Sequence, residues 1–520
     1  MIIEAVRGNR SRGQTAVSVP IKPPTLGWVT QVNMLEGKRG TAVTLDNWFP
    51  LADTVRVRGG FGVASSTGTS AKVETLMAYH KADGSRKLFA AAGSALYDAT
   101  NSIASSVATG LGNARWQHVN FATPGGAFLW CCNGLDAERY YDGSTWTNAA
   151  LTGIASGECV NVAVFKSRLY FVLKNSLRFG YLPVQSIAGA VATFDLGSEF
   201  SKGGYLVAIA TWTIDGGAGQ DDHAVFLTSE GQVAIYQGSN PSDPNQWQKV
   251  GVYDLPRPIG RRCVRQVGGD VYLITEAGVV PLKDSLILDT AAANNIAVTK
   301  NIQQAMVEAG QLYKGNFGWQ IATWPKMTMA LLNVPLSEGA QQHQYVMNTV
   351  TGAWCRFTGQ NANCWEAMED RLFFGGNDGK VYEANVSASD NGADILADMK
   401  LSFDYFGSQA LRKQWKMLQP LIRSDGAVQP AICLNVDFDD RLPATAVGAA
   451  NLSTIRLDGF DLDAVSFPQD AVLSKNWITV TDPPGYAAAV RMRVAANGTG
   501  QPITLQVNGF NLIYERGSML

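Results

Sequence analysis

At 520 residues the chain is too long for one ordinary hydrophobic core, so two or three domains are expected. Hydrophobic residues make up 46% and charged residues only 17%, which excludes a disordered chain, and 42 basic residues against 44 acidic ones exclude the overall charge footprint of a nucleic-acid binder. No apolar run approaches the ~18 residues of a membrane span and the first thirty residues lack a secretory apolar core, so folding in the cytosol without membrane insertion is expected.

Residues 1–27 carry Arg7, Arg10, Arg12 and Lys22 against the single Glu4, followed by PIKPPTLGW. The segment has neither a helical nor a strand period throughout. It reads as an extended basic arm, either a tail or a strap laid on a partner subunit, with Val17, Val19 and Ile21 alternating like a strand. In TVRVRGGFG, Val55 and Val57 alternate with Arg56 and Arg58, predicting a strand with one apolar face. A strand placed before a ring of repeats can complete the last repeat and close the ring.

From Val73 to Val386 one pattern recurs: an apolar strand, a tight turn and a second short strand. It appears in KLFAAAGSALYDA, AFLWCCNGLDAERYYDG, RLYFVLKNSLRFGYL, AVFLTSEGQVAIYQG, DVYLITEAGVVPL and RLFFGGNDGKVYEA. The turns hold Gly93, Gly134, Asn175, Gly231, Gly278 and Gly376/Gly379, residue types that accept positive φ. A Trp lies a few residues beyond a polar turn at Trp146, Trp247 and Trp354, and the last marks a seventh hairpin between Met327 and Phe357. One hairpin cannot bury an apolar face alone, so the repeats must stack or close into a ring. A mainly β protein is predicted, with a β-propeller of six to eight blades over 63–386; a β-sandwich or simple meander is the alternative for this region.

In NNIAVTKNIQQAMVEAGQLYK, residues Ile302, Met306, Ala309 and Tyr313 share one stripe, predicting an amphipathic helical insertion near 292–314. Such a helix either covers the propeller flank or forms a lever or channel-lining element between subunits. Beyond the linker SASDNGADILADM, alternating strands such as AICLNVDFDD and ITLQVNGFNLIYE predict a β-sandwich-like domain over 387–520, leaving 1–62 as the arm and closing strand. In the first of these strands Ile432, Leu434, Val436 and Phe438 are expected on one face, and Lys413 and Lys416 of KQWKMLQPL are placed to meet a phosphate or an acidic neighbour.

DNWFPLADTVRVRGGF (Asp46 to Phe61), with ETLMAYH, AAAGSALYD, RWQHVNF and the closing NGFNLIYERG, resembles tail nozzle or hub proteins of short-tailed bacteriophages, also called tail tubular protein B. The resemblance spans nearly the whole chain, through turns and aromatics. It implies a homohexameric ring in the virion tail, assembled in the host cytoplasm. The implied partners are the adaptor/portal complex above, tail fibres or a needle, and double-stranded DNA touched transiently and without sequence preference in a central channel that retains and then conducts the genome. The alternative function is a carbohydrate-binding tail propeller contacting the host surface.

Catalytic signals are weak. Glycoside hydrolysis needs two carboxylates about 5 to 9 Å apart across a sugar. The acidic groups, Asp221 with Asp222 and Asp437 with Asp439 and Asp440, lie on loops where solvation accounts for them, and they serve better as channel-wall or loop elements. No HxH, HExxH, GxSxG or GxxxxGK[ST] occurs, so no metal, cofactor or enzymatic activity is expected. The seven cysteines form no CxxC pair and lie mostly in apolar strands, as reduced buried residues.

Overall fold

The computed structural model describes residues 16–30, 37–215, 220–286, 296–424, 430–443, 449–452, 472–474, 476–498, 501–502 and 504–517. Among these residues, seven antiparallel sheets stand around one axis. Their innermost strands are Val73–His80, Gln117–Thr123, Cys159–Phe165, Leu206–Asp215, Val264–Val267, Gln320–Trp324 and Cys364–Met368. Each packs on the next, and the seventh packs on the first, so the ring is closed and the fold is a β-propeller.

The recurring hairpin is the middle of each blade. Gly93, Gly134, Asn175, Gly231, Gly278 and Gly379 all have positive φ and turn the second strand into the third. At Gly379, rather than Gly376, a Cβ would lie 1.8 Å from the Thr69 carbonyl oxygen, so the turn needs glycine for space as well as for dihedral angle. These middle strands are sheathed on both faces by neighbouring blades and read as continuous apolar runs, which is why they carry the sequence signal. Trp146, Trp247 and Trp354 each open the outermost strand of a blade. Trp247 lies 5.3 Å from Tyr236 in its own blade and 6.1 Å from Phe165 in the preceding one, filling the wedge between them.

The closing strand lies one strand later than expected. Gly60–Ser66 pairs with Lys380–Ser387 as the fourth strand of blade 7, with Phe61 opposite Ala384. Val55–Val57 instead pairs with Trp48–Pro50 and with Leu505–Arg516 in the second domain. Arg58 leaves the polar face predicted for it and is 3% exposed. The reason is geometric: the chain passes from one domain to the other at Arg58 and Gly59.

The helix Gln303–Tyr313 buries Met306 and Ala309 and packs on Gly278–Pro281 of blade 5 and Met329–Ser337 of blade 6. It covers a flank where blade 5 has three described strands rather than four.

Two sheets form the second domain. In one, Asp46 of Ala42–Asp46 pairs in parallel with Arg356 at the outer edge of blade 6, and the sheet continues through Ile395–Leu401, Ala488–Gly498 and Ala431–Val436. The other joins Leu505–Arg516 to Lys413–Ser424, Ala16–Ile21 and Val55–Val57. Leu45, Phe49, Met399, Trp415, Val490 and Leu512 belong to a buried cluster that runs on into blades 4 to 7. The chain therefore builds part of this sandwich, leaves to form the whole propeller, and returns to complete it. Alternation in AICLNVDFDD stops at Val436, because Asp437 and Phe438 have positive φ and turn the chain. Phe438 is exposed and Asn435 is buried with its amide donating to the Arg441 carbonyl, the reverse of the expected faces.

Candidate functional site

An innermost propeller strand pairs along one edge with the second strand of its own blade but has no strand to pair with across the axis, so its free edge groups need other partners. Side chains supply them. The Thr75 hydroxyl donates to the Ala114 carbonyl and accepts from the Trp116 amide at 3.0 Å, joining blades 1 and 2. Asn161 accepts the Ile209 amide, joining blades 3 and 4. Gln320 donates to the Trp365 carbonyl and accepts from its amide, joining blades 6 and 7. Around these polar residues the axis holds a cavity of ≈ 650 Å³.

Charge enters this cavity mainly from blade 5. Arg261 and Arg262 precede its innermost strand and Arg265 lies within it. Arg262 donates to the Thr75 hydroxyl at 2.7 Å and to the carbonyls of Trp116 and Glu74, both at 3.1 Å, and all three acceptors are neutral. Its burial lowers its pKa, yet a guanidinium remains charged. Two cations lie near the Phe317 ring, Arg115 4.3 Å and Arg262 4.9 Å from its centroid. Arg115 is itself neutralised by Glu74 and Glu338. A second cavity of ≈ 350 Å³ adjoins this mouth, lined by Arg115, Arg261, Lys314 and Phe317.

On the axis, His118 Nε2 of blade 2 lies 3.6 Å from Glu366 Oε2 of blade 7. Burial, opposed by Arg265 and Arg262, pushes the Glu366 carboxyl up to about 7. Burial and the same two arginines push His118 down to about 3, so it is neutral at physiological pH. Proton exchange on this pair is therefore centred on the glutamate.

The sequence-predicted site residues lie elsewhere. Arg7, Arg10 and Arg12 fall outside the described residues, while Lys22 is exposed immediately after Ala16–Ile21, a strand laid on its own chain's Leu505–Arg516. Asp222 accepts from Lys166 at 2.8 Å and from the Thr213 hydroxyl, near the end of the propeller where the innermost strands finish; the Asp221 side chain lies outside the described set. In the sandwich, Asp437 caps the amides of Tyr486 and Ala487. Asp440 accepts from Lys400 and Arg491, both at 2.9 Å, and Asp439 pairs with Arg441. These acids are thus split between two domains, and the four described ones are bound to donors. Lys413 is 1% exposed and its ammonium donates to three backbone carbonyls, leaving no room for a phosphate, whereas Lys416 meets the acidic Glu515.

Sequence reasoning passed over the axial residues. One signal was present: RRCVRQV places three arginines in five positions at the start of a propeller strand. Glu366 and His118 had no local motif. No metal-holding group of three His, Cys, Asp or Glu side chains occurs among the described residues, and no described helix is long and apolar enough to cross a membrane.

No family model matches the chain, and no curated protein matches it. Among solved structures, BBS1N in complex with ARL6DN is 12% identical, covering 63% of this chain and 97% of that one with a TM-score of 0.40. The β-propeller domain of Myceliophteria thermophila Cps50 (Swd1) is 11% identical, with 62% and 99% covered and a TM-score of 0.38. Saccharomyces cerevisiae Sqt1 is 9% identical, with 62% and 98% covered and a TM-score of 0.34. Such likenesses concern the fold alone, and the propeller assignment stands on the strand topology.

Proposed function

We propose that this chain is a structural subunit of a short-tailed bacteriophage tail, a nozzle or hub protein whose copies form a ring around a channel for double-stranded DNA. The sequence resemblance supplies the class, and the hexameric count comes from it. The observation that carries the reading is the sheet running without a break from blade 6 into the sandwich through Asp46 and Arg356. Arg356 also grips the Asp46 carboxylate with two hydrogen bonds, at 2.7 and 2.6 Å. A shared sheet and a shared core join the two domains into one packed unit, the kind of part a ring holding packed DNA requires. The axial cavity of ≈ 650 Å³ has the size of a small-molecule site, so the DNA path in this reading lies between subunits, not through a propeller. Near-neutral net charge suits a wall past which DNA slides, because each neutralised phosphate would add counterion-release affinity.

The test is to purify the full chain with its adaptor and portal neighbours and image the product. A six-fold ring with a pore of duplex width is expected, together with the protein in purified virions by mass spectrometry. A chain that stays monomeric beside those neighbours and is missing from virions overturns the reading.

A further inference from the structure

A cation drawn out of water without an anionic partner is costly, and a cluster of cations lining a cavity without carboxylate partners favours an anion there. Arg262 is half-buried, and its hydrogen bonds go to a hydroxyl and two carbonyls, none of them anionic. Arg261 is exposed at the mouth common to both cavities and makes no hydrogen bond or ion pair among the described residues. Arg265 is also exposed; among the described residues it donates only to the Thr323 hydroxyl, at 3.4 Å, and most of its donors are left to the cavity and solvent. Glu366, the one carboxylate lining the axial cavity among the described residues, sits beside neutral His118 and is only partly ionised near pH 7, so it offsets little of the charge of the three guanidiniums. The remaining wall offers amides that hydrogen-bond hydroxyl groups, Gln117 and Gln266 among them.

We propose that the axial cavity binds a small hydroxylated molecule carrying a phosphate or carboxylate, its oxyanion seated on Arg261, Arg262 and Arg265. Guanidinium forks match such oxyanions with paired hydrogen bonds, and the ≈ 650 Å³ volume accommodates a monosaccharide-sized ligand. This site is independent of ring formation, since it lies within one chain.

The experiment is calorimetric titration of the full chain at pH 7 and moderate salt with glucose 6-phosphate, glucuronate and glucose. Saturable binding of the phosphate or the uronate, at least tenfold tighter than glucose, is expected, and which one binds identifies the oxyanion. The double variant R261A/R265A should lose at least tenfold in affinity with an unchanged circular dichroism spectrum, while Lys249→Ala on an outer strand should bind as wild type. Glu366→Gln should bind several-fold tighter than wild type at pH 8, where the native carboxylate repels the ligand. Equal binding of glucose, undiminished affinity in R261A/R265A, or no saturable binding of either anion overturns the proposal.

Discussion

The Arg58 guanidinium lies flat against the Asp390 carboxylate, Nη1 donating to Oδ1 at 2.7 Å and Nη2 to Oδ2 at 2.5 Å, with the two side chains only 2% and 7% exposed. The remaining donors of Arg58 go to Asn47 and to the carbonyls of Gly59 and Thr358. One side chain thus pins the entry to the closing strand, the link between blades 6 and 7, and the exit from the propeller. Removing either partner leaves a buried charge unpaired. Arg58→Ala should therefore cost about 3–5 kcal/mol in urea unfolding, whereas replacing both Arg58 and Asp390 by Leu should cost less than the single change. A double variant less stable than Arg58→Ala would show that the pair is not what makes Asp390 tolerable.

Ring closure depends on the strand Gly60–Ser66, and Phe61 is its anchor. Its ring meets Phe374 and Tyr382 edge-on, each with centroids 5.1 Å away. Phe61→Ala should destabilise the chain by about 3–5 kcal/mol, while Tyr205→Ala, at a side chain 43% exposed, should stay within about 0.5 kcal/mol. Comparable thermal shifts for the two would argue against closure by this strand.

Glu366 makes stability depend on pH in a definite direction. The folded state holds its proton to about 7 and the unfolded chain releases it near 4.5, so its contribution is complete below pH 4.5 and is lost as pH rises through 7. Glu366→Gln should match the native protein at pH 4.5 and exceed it at pH 8 by up to about 3 kcal/mol. His118, lowered to about 3 from 6.5, acts in the opposite direction as pH falls, and the nearby Arg262, Arg265 and His80 are common to both proteins, so the difference isolates the glutamate. An advantage for Glu366→Gln that is the same at both pH values would contradict the raised carboxyl.

Six of the seven cysteines are buried, and Cys433 alone is partly accessible. Burial raises Cys131, Cys132, Cys159, Cys263, Cys355 and Cys364 far from reactivity. Titration with a thiol reagent should count about one group in the native protein, removed by Cys433→Ser, and all seven in denaturant. Fast reaction of several native thiols would mean that the blade interfaces open readily.

Repeating hairpins, the Trp that opens an outer strand, the amphipathic helix with Met306 and Ala309 inward, and buried unpaired cysteines were legible in the chain because each follows from local period and turn chemistry. Which strand closes the ring was not, since Val55–Val57 and Gly60–Ser66 have equally strand-like patterns and only pairing with partners remote in sequence separates them. Nor was the burial of Arg58 and Lys413, whose charges are tolerated only because acceptors from other elements surround them. The meeting of Arg262, Arg265, His118 and Glu366 on one axis was decided by tertiary structure alone. Ring closure sets those residues face to face, and burial there, more than residue type, gives Glu366 its raised pKa.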